Sequence, residues 1–268
     1  MHLADDCRDF QEGGCTLMEK KPTVSVIMPA YNVAPYIEGS VKSVLAQTYA
    51  DWELLIIDDR GKDNSYEIAC RLAETDSRIR VLQNEKNSGV SKTRNYGIRE
   101  ARGKYIALLD SDDQWRPEKL EKQLAMMEKG DAQIGYTSYA MVSEKGEKVH
   151  NDYLVPETTD FKKMLLCNVI GCSTVMLDAK IAKAHPFDET YYHEDYVLWL
   201  ELMRDGCKAV GCKEVLVDYC VRGDSRSAQK FSSAKKRWLI YRKHLKLPFF
   251  KSVYYMMRYA ISGLKKYA

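Results

Sequence analysis

Three carboxylates, Asp110, Asp112 and Asp113, follow directly on the apolar run Tyr105-Ile106-Ala107-Leu108-Leu109. Acids this close repel one another unless positive charge sits between them. Hard divalent cations such as Mg²⁺ or Mn²⁺ are the usual partners, held by carboxylates together with the phosphates of a substrate. The cluster therefore reads as a place for a metal-bound, phosphorylated ligand. A polar surface turn rich in Asp is the plain alternative. A second apolar run, Trp52 to Ile57, ends in the pair Asp58-Asp59, and a third group of acids, the pair Glu194-Asp195, stands just after His193. Carboxylates are the common currency of general base chemistry and of cation binding, and these three groups set the functional question.

The elements needed to bring them together are legible. Residues 105–109 are short, apolar, free of Pro and preceded by Gly103, the pattern of a buried strand. Residues 52–58 repeat it, as does Val24-Ser25-Val26-Ile27-Met28, stopped by Pro29. Between the first two strands, Ile37, Val41, Val44, Leu45 and Thr48 recur at helical spacing and predict a helix over roughly 35–48. Asp63-Asn64-Ser65 is a plausible helix start. Strand, helix, strand, helix, strand is the order of βαβ units and a parallel sheet, with ligands outside the carboxyl ends of the strands. Downstream, Leu198, Trp199, Leu202 and Met203 form one helical face, which puts Glu194 and Asp195 in or just before a first turn. Carboxylates at that place are held ionised by the helix dipole, as a base must be; plain helix capping by acids is the alternative.

Six segments, in order, resemble the family 2 glycosyltransferases with the GT-A, Rossmann-like nucleotide-sugar-binding fold. They are Val24–Asn32 with its Pro-Ala-Tyr-Asn close, Ile57-Asp58-Asp59, Asn87–Gly97, Leu108–Asp113, His193–Trp199 and Tyr219–Ser227. The resemblance implies an α/β fold with a mostly parallel central sheet over residues 21–230, a nucleotide-binding half (21–115) and an acceptor and catalytic-base half (116–230). It implies an inverting transfer of a hexose-type sugar from a UDP donor to a saccharide or polyprenyl-linked saccharide, as in small bacterial enzymes of capsule, O-antigen or wall polysaccharide synthesis. By the same resemblance Asp112 is the main ligand of Mn²⁺ or Mg²⁺, Asp110 lies near the ion and ribose, and Ser111 completes the motif. Pro29, Ala30, Tyr31 and Asp59 surround the base, with Glu38 assisting and Asp59 accepting the uracil N3–H; Tyr31 either stacks or packs in the core. Arg94 reaches the phosphates or ribose, with Lys92 a lesser candidate. Asp195 is the base, Glu194 supports it, and Arg222 closes over the diphosphate. Gly171–Met176 lines the donor sugar. The family's usual Asp-Gly-Ser after the acid pair is Arg60-Gly61-Lys62 here, and Thr93 replaces the usual Ala.

The chain's 268 residues suffice for one large α/β domain with an appendage. Charge is uneven: of 41 Lys and Arg, twelve lie from Ser225 onward with no acid among them, so the rest of the chain carries an excess of nine acids. In this tail (231–268) Phe250, Val253, Met257, Ala260, Ile261 and Leu264 share a helical face, with Lys251, Tyr255, Arg258, Ser262 and Lys265 opposite. A basic amphipathic helix suits peripheral contact with an anionic membrane; a solvated helix packed on the domain is the alternative. No nucleic-acid motif accompanies the charge. Eight scattered cysteines in no zinc spacing read as buried free thiols, and with no signal peptide they point to the cytoplasm, at the inner face of the plasma membrane. Residues 1–20, polar and without period, are expected to be disordered, and Met18 is a possible natural start.

Rival classes fit less well. A nucleotidyltransferase would carry a Gly-rich phosphate loop after its first strand, and a dehydrogenase Gly-x-Gly-x-x-Gly. A processive synthase would carry membrane spans, and Arg237-Trp238 stands at the wrong distance from Gln229 for its signature. A catalytically silent nucleotide-sugar-binding or membrane-surface protein stays as the other class.

Overall fold

Four short runs rich in Val, Ile and Leu lie side by side in parallel: β1 (Val24–Ala30), β2 (Trp52–Asp58), β3 (Ile79–Gln83) and β4 (Tyr105–Leu108). They belong to a computed structural model that describes residues 21–222 and 230–266. Helices α1 (Ile37–Leu45), α2 (Ser65–Ala73) and α3 (Val90–Glu100) connect them. The order is β3-β2-β1-β4, so the chain steps one way from β1 and then returns to its other side. That reversal opens a crevice between the carboxyl ends of β1 and β4, the place where open α/β sheets bind ligands.

Beyond β4 the sheet changes direction. It continues through β8 (Met176–Asp178), β6 (Ile134–Val142) and β9 (Ala209–Cys220) to β5 (Gln114–Trp115), with β7 (Thr158–Thr159) beside β9. The long pairings, β1 with β2 and β6 with β9, are parallel; the β8, β5 and β7 pairings are antiparallel and short. The remaining elements are α4 (Lys119–Gly130), α5 (Phe161–Leu166), a 3-10 turn at Cys172–Thr174, α6 (Ala179–Ala184) and α7 (Glu194–Arg204). The C-terminal part comprises α8 (Lys230–Leu239), a π-helical turn at Ile240–His244, and α9 (Phe249–Lys266).

Strand alternation splits the interior in two. Val24, Val26 and Met28 face a core made with Ile37, Val41 and Val44 of α1 and Leu120 and Leu124 of α4. Ile27, Leu55 and Ile57 face the other core, with Ile98 of α3 and Tyr196, Trp199 and Leu202 of α7. Residues alternating between two covered faces explain why these strands are apolar throughout.

Several sequence expectations are refined. The first helix is tighter than 35–48. The strand Ile79–Gln83 carries little sequence signal because it is a half-buried edge strand interrupted by Arg80. The segment after 230 is joined to the domain: Ile240 and Tyr241 belong to the same core as α7. On α9, Ser252 is buried, and Tyr255 and Met256 pack on that core, so Tyr255 points inward and not to the polar face. The cysteines described carry no disulfide, and all but the buried Cys220 are half-buried. Residues 1–20 and 223–229, the latter including Ser225 and Ser227, lie outside the described residues.

Candidate active site

The crevice is a cavity of about 640 Å³ lined by Pro29, Ala30, Tyr31, Asp59, Arg94, Asp110, Ser111, Asp112, Glu194, Asp195 and Arg222 among others. Ten of the site residues proposed from sequence thus meet at one surface, with Arg222 as an eleventh. Two do not. Glu38 is exposed on α1 and paired with Lys42 at 2.7 Å, one turn along its own helix. Lys92 is exposed and paired with Glu189 at 3.1 Å. Helical spacing turns both outward.

The acidic turn after β4 is held from beneath. Asp113 is buried; its Oδ1 accepts the backbone N–H of Cys220 at 2.8 Å and its Oδ2 accepts the Ser173 hydroxyl. The same Ser173 Oγ accepts the N–H of Asp110 at 3.0 Å, and the Ser173 carbonyl accepts the indole N–H of Trp115 at 2.8 Å. Asp113 therefore anchors the turn to the end of β9 and leaves Asp110 and Asp112 facing the cavity. Burial, then repulsion from Asp112 and Asp110, pushes its carboxyl well above the usual range. Burial also raises Asp112, followed by Asp110, against the pull of Arg222, whose Nη1 lies 3.2 Å from Asp112 Oδ2. Arg222 in turn lies over the Tyr36 ring at 4.7 Å.

Arg94, only 5% exposed, crosses the floor of the site. Its Nη2 donates to Asp110 Oδ1 at 2.6 Å and its Nη1 to Glu194 Oε1 at 2.9 Å. The guanidinium sits 5.4 Å from the centroid of the Phe187 ring. Arg94 lines the cavity, and its pairing with two carboxylates clamps the acidic turn to α7. Gly89 makes the approach possible: it caps α3 at φ 84, a left-handed value that suits glycine. Asn84, unremarked in the sequence, ties this corner by donating to Asp59 at 2.7 Å and to Thr93 at 2.8 Å. Thr93 is fully buried there, its hydroxyl donating back to the Gly89 carbonyl.

Glu194 and Asp195 occupy the first turn of α7, as the apolar periodicity predicts. Asp195 Oδ1 accepts the N–H of Tyr196 at 2.7 Å. Burial and then the neighbouring Glu194 push its carboxyl up to about 6, while Arg94 pulls the other way. It is a carboxylate at neutral pH, with more basicity than an exposed aspartate has.

At the other end, Tyr31 is 46% exposed on the cavity wall, which excludes a core-packing role. Asp59 is buried; Oδ1 takes Asn84 Nδ2 and the Ser88 N–H, each at 2.7 Å, and Oδ2 takes the Gly89 N–H at 2.8 Å. Three donors from the loop before α3 leave little of this carboxylate for a base. The loops after β1 and β2 are stitched together: Asn32 Oδ1 accepts from Lys62, Asp63 from Ala34, and Ser65 Oγ from Val33. Asp63 keeps its structural place despite the unusual Arg60-Gly61-Lys62. Tyr192 and Cys172 also line the cavity, and no spacing in the sequence marks Tyr192.

Among the described residues no group of three His, Cys, Asp or Glu could hold a metal. The protein offers the oxygens of Asp110 and Asp112, mutually repelling and open to the cavity. That donor set fits a hard divalent ion which completes its shell with phosphate and water, and does not fit a protein-enclosed zinc site.

The sequence profile described as "Glycosyl transferase family 2" matches residues 25–183. The chain is 37% identical over 246 residues to TuaG of Bacillus subtilis (strain 168), whose name assigns it provisionally to teichuronic acid biosynthesis; the match covers 92% of this chain and 98% of that one. It is 37% identical over 248 residues to the UDP-Glc:alpha-D-GlcNAc-diphosphoundecaprenol beta-1,3-glucosyltransferase WfgD of Escherichia coli, covering 91% and 95%. Among solved structures it is similar to residues 1–349 of S. aureus TarS in complex with UDP-GlcNAc, with a TM-score of 0.69 and 19% identity, over 81% of this chain and 65% of that one. The last similarity concerns the fold.

The Arg94 clamp makes a stability prediction. Arg94→Met leaves Asp110 and Glu194 facing each other without their shared cation, and breaking a buried pair on one side typically costs about 3–5 kcal/mol. Urea unfolding near neutral pH should show a loss of that size; an unchanged midpoint would mean that the clamp contributes nothing to the fold.

Proposed function

The chain belongs to glycosyl transferase family 2, and on that premise we propose that it is an inverting enzyme that moves a hexose-type sugar from a UDP donor to a hydroxyl of a saccharide or lipid-linked saccharide in bacterial surface polysaccharide synthesis. The observation that carries the reading is the single cavity that gathers Tyr31, the paired carboxylates Asp110 and Asp112, and the raised Asp195. The relatives support the donor and the acceptor class, since WfgD is named for UDP-Glc and for a diphosphoundecaprenol-linked saccharide.

The chemistry follows from the residues. Tyr31 offers a ring face for the base, with the Pro29-Ala30 backbone beneath it. Asp110 and Asp112 would hold Mn²⁺ or Mg²⁺, which when bound supplies positive charge where the leaving diphosphate gathers negative charge. Arg222 adds a second cation on the same side of the site. Asp195 accepts the proton of the acceptor hydroxyl as that oxygen bonds to the anomeric carbon and the bond to the diphosphate breaks. One displacement inverts the configuration. Glu194, held by Arg94, keeps the first turn of α7 in place and raises the basicity of Asp195 by its charge.

The tail supports work at a membrane surface. No helix among the described residues is long and apolar enough to cross a membrane. The inner side of α9 packs on the domain, while Phe250, Tyr254, Met257 and Ile261 are exposed along a stripe at helical spacing, flanked by exposed Lys251 and Arg258. Aromatic and aliphatic side chains rimmed by cations suit an anionic lipid surface at the inner face of the plasma membrane.

Two outcomes are expected. Asp195→Asn should lower kcat by about 10²–10⁴, the usual worth of a general base, and wild-type kcat/KM should fall as pH drops through about 6, where Asp195 gains its proton. Transfer assays over a pH series check both, and a variant as active as wild type would remove Asp195 from the chemistry. Separately, the protein should sediment with phosphatidylglycerol vesicles and not with phosphatidylcholine vesicles, and Phe250→Ser should weaken that binding; equal recovery with both lipids would contradict the membrane reading.

A further inference from the structure

Two neighbouring cations on α8 face different surroundings. Arg237 turns inward and is buried. Its Nε donates to the Tyr241 hydroxyl at 2.9 Å, and its guanidinium lies 3.9 Å from the Tyr196 ring and 4.2 Å from the Tyr259 ring. Tyr196 directly follows Asp195, and the Tyr241 hydroxyl donates on to the Leu165 carbonyl at 2.9 Å. Arg237 thus pins α8 against the first turns of the catalytic helix.

Lys236 emerges from that anchored helix on another side. Its Nζ sits 3.1 Å from the centroid of the Tyr192 ring. Tyr192 is a cavity-lining residue, next in the wall to His193, Glu194 and Asp195. Among the described residues this ammonium rests on a ring face and on no carboxylate. A ring quadrupole stabilises a cation without neutralising it, so a net positive charge stands at the rim of the cavity beside the base. Lys235, next to it in sequence, is exposed, as are Arg242, Lys243 and Lys246 between α8 and α9.

We propose that Lys236, with Lys235 beside it, binds an anionic diphosphate carried by the acceptor at the joint between its sugar and its lipid. This rests on the transferase reading above and specifies the acceptor side of that site. Asp195 must meet a hydroxyl of the acceptor sugar, so a diphosphate attached to that sugar lies about one ring away, at the rim. A lysine ammonium is a compact point charge suited to phosphate. The donor's diphosphate belongs to a separate set of groups, Asp110, Asp112 and Arg222. The lipid then leaves past the basic strip toward the exposed stripe of α9.

The test uses the full chain and two acceptors that differ only in the joint: a sugar on an alkyl diphosphate, and the same sugar as an uncharged alkyl glycoside. Wild type should prefer the diphosphate. In Lys236→Gln the ratio of kcat/KM for the two should fall about ten- to a hundredfold, the worth of one charged hydrogen bond, with the donor KM unchanged, and Lys236→Arg should restore it. Transfer to both acceptors with an unaltered ratio, or no wild-type preference, would overturn the proposal while leaving the transferase reading intact. Wild type that transferred to neither would overturn both.

Discussion

One buried guanidinium holds the site together. Arg94 stands between Asp110, in the acidic turn after β4, and Glu194, which begins the helix carrying Asp195, the proposed base. These residues are 100 positions apart at the extremes and come from the two halves of the chain. Five carboxylates gather around the crevice, and bringing them out of water without a counter-charge would drive the fold apart. Arg94 offsets two of them, Asp110 and Glu194, and so fixes the acidic turn against α7, while Arg222 pairs Asp112 and three N–H donors satisfy Asp59. Arginine suits the position because its planar fork fixes donors toward both acids, whereas a lysine offers a single point charge on a flexible stem.

The layer behind the acidic turn is tied to it in turn. Ser173 bridges Asp113 and the backbone of Asp110, Trp115 hangs from the Ser173 carbonyl, and Lys119 lies 3.9 Å from the Trp115 ring centroid with its ammonium donating to Gln123. Burial holds the Lys119 amine well below its usual range. Its nitrogen donates to the Gln123 amide oxygen and lies over the Trp115 ring, so this layer beneath the acidic turn is tied by hydrogen bonds and ring contact. The charged groups on the cavity wall are thus backed by a hydrogen-bonded layer, as a site that must position them requires.

Much of this was legible in the sequence. Apolar runs ending in acids locate strand ends, and strand ends locate the crevice, so Asp59, Asp110 and Asp112 could be placed together before any coordinates. The first-turn position of Glu194 and Asp195 follows from the apolar face of Leu198, Trp199 and Leu202. What the pattern hides are contacts across the chain. Arg94 reads as a phosphate ligand because its two partners are distant in sequence. Glu38 and Lys92 sit at correct positions in correct elements and still point outward, since helix rotation by one residue turns a side chain through about 100°. The tail reads as a single amphipathic helix, whereas its two sides do different work: Tyr255 and Met256 join the domain core, and Phe250 and Met257 face out. Periodicity gives a face, not its occupant. Tyr192 and Arg237 carry no local signal, one being an aromatic in a loop and the other one cation among twelve.

The most direct test of the account is calorimetric titration of UDP, GDP, dTDP and CDP, with and without Mn²⁺, into the wild type and Asp112→Ala. The account predicts that UDP binds best, that Mn²⁺ strengthens its binding, and that Asp112→Ala abolishes the strengthening. Binding of no nucleotide under any condition, or Mn²⁺-dependent UDP binding that survives in Asp112→Ala, would contradict it.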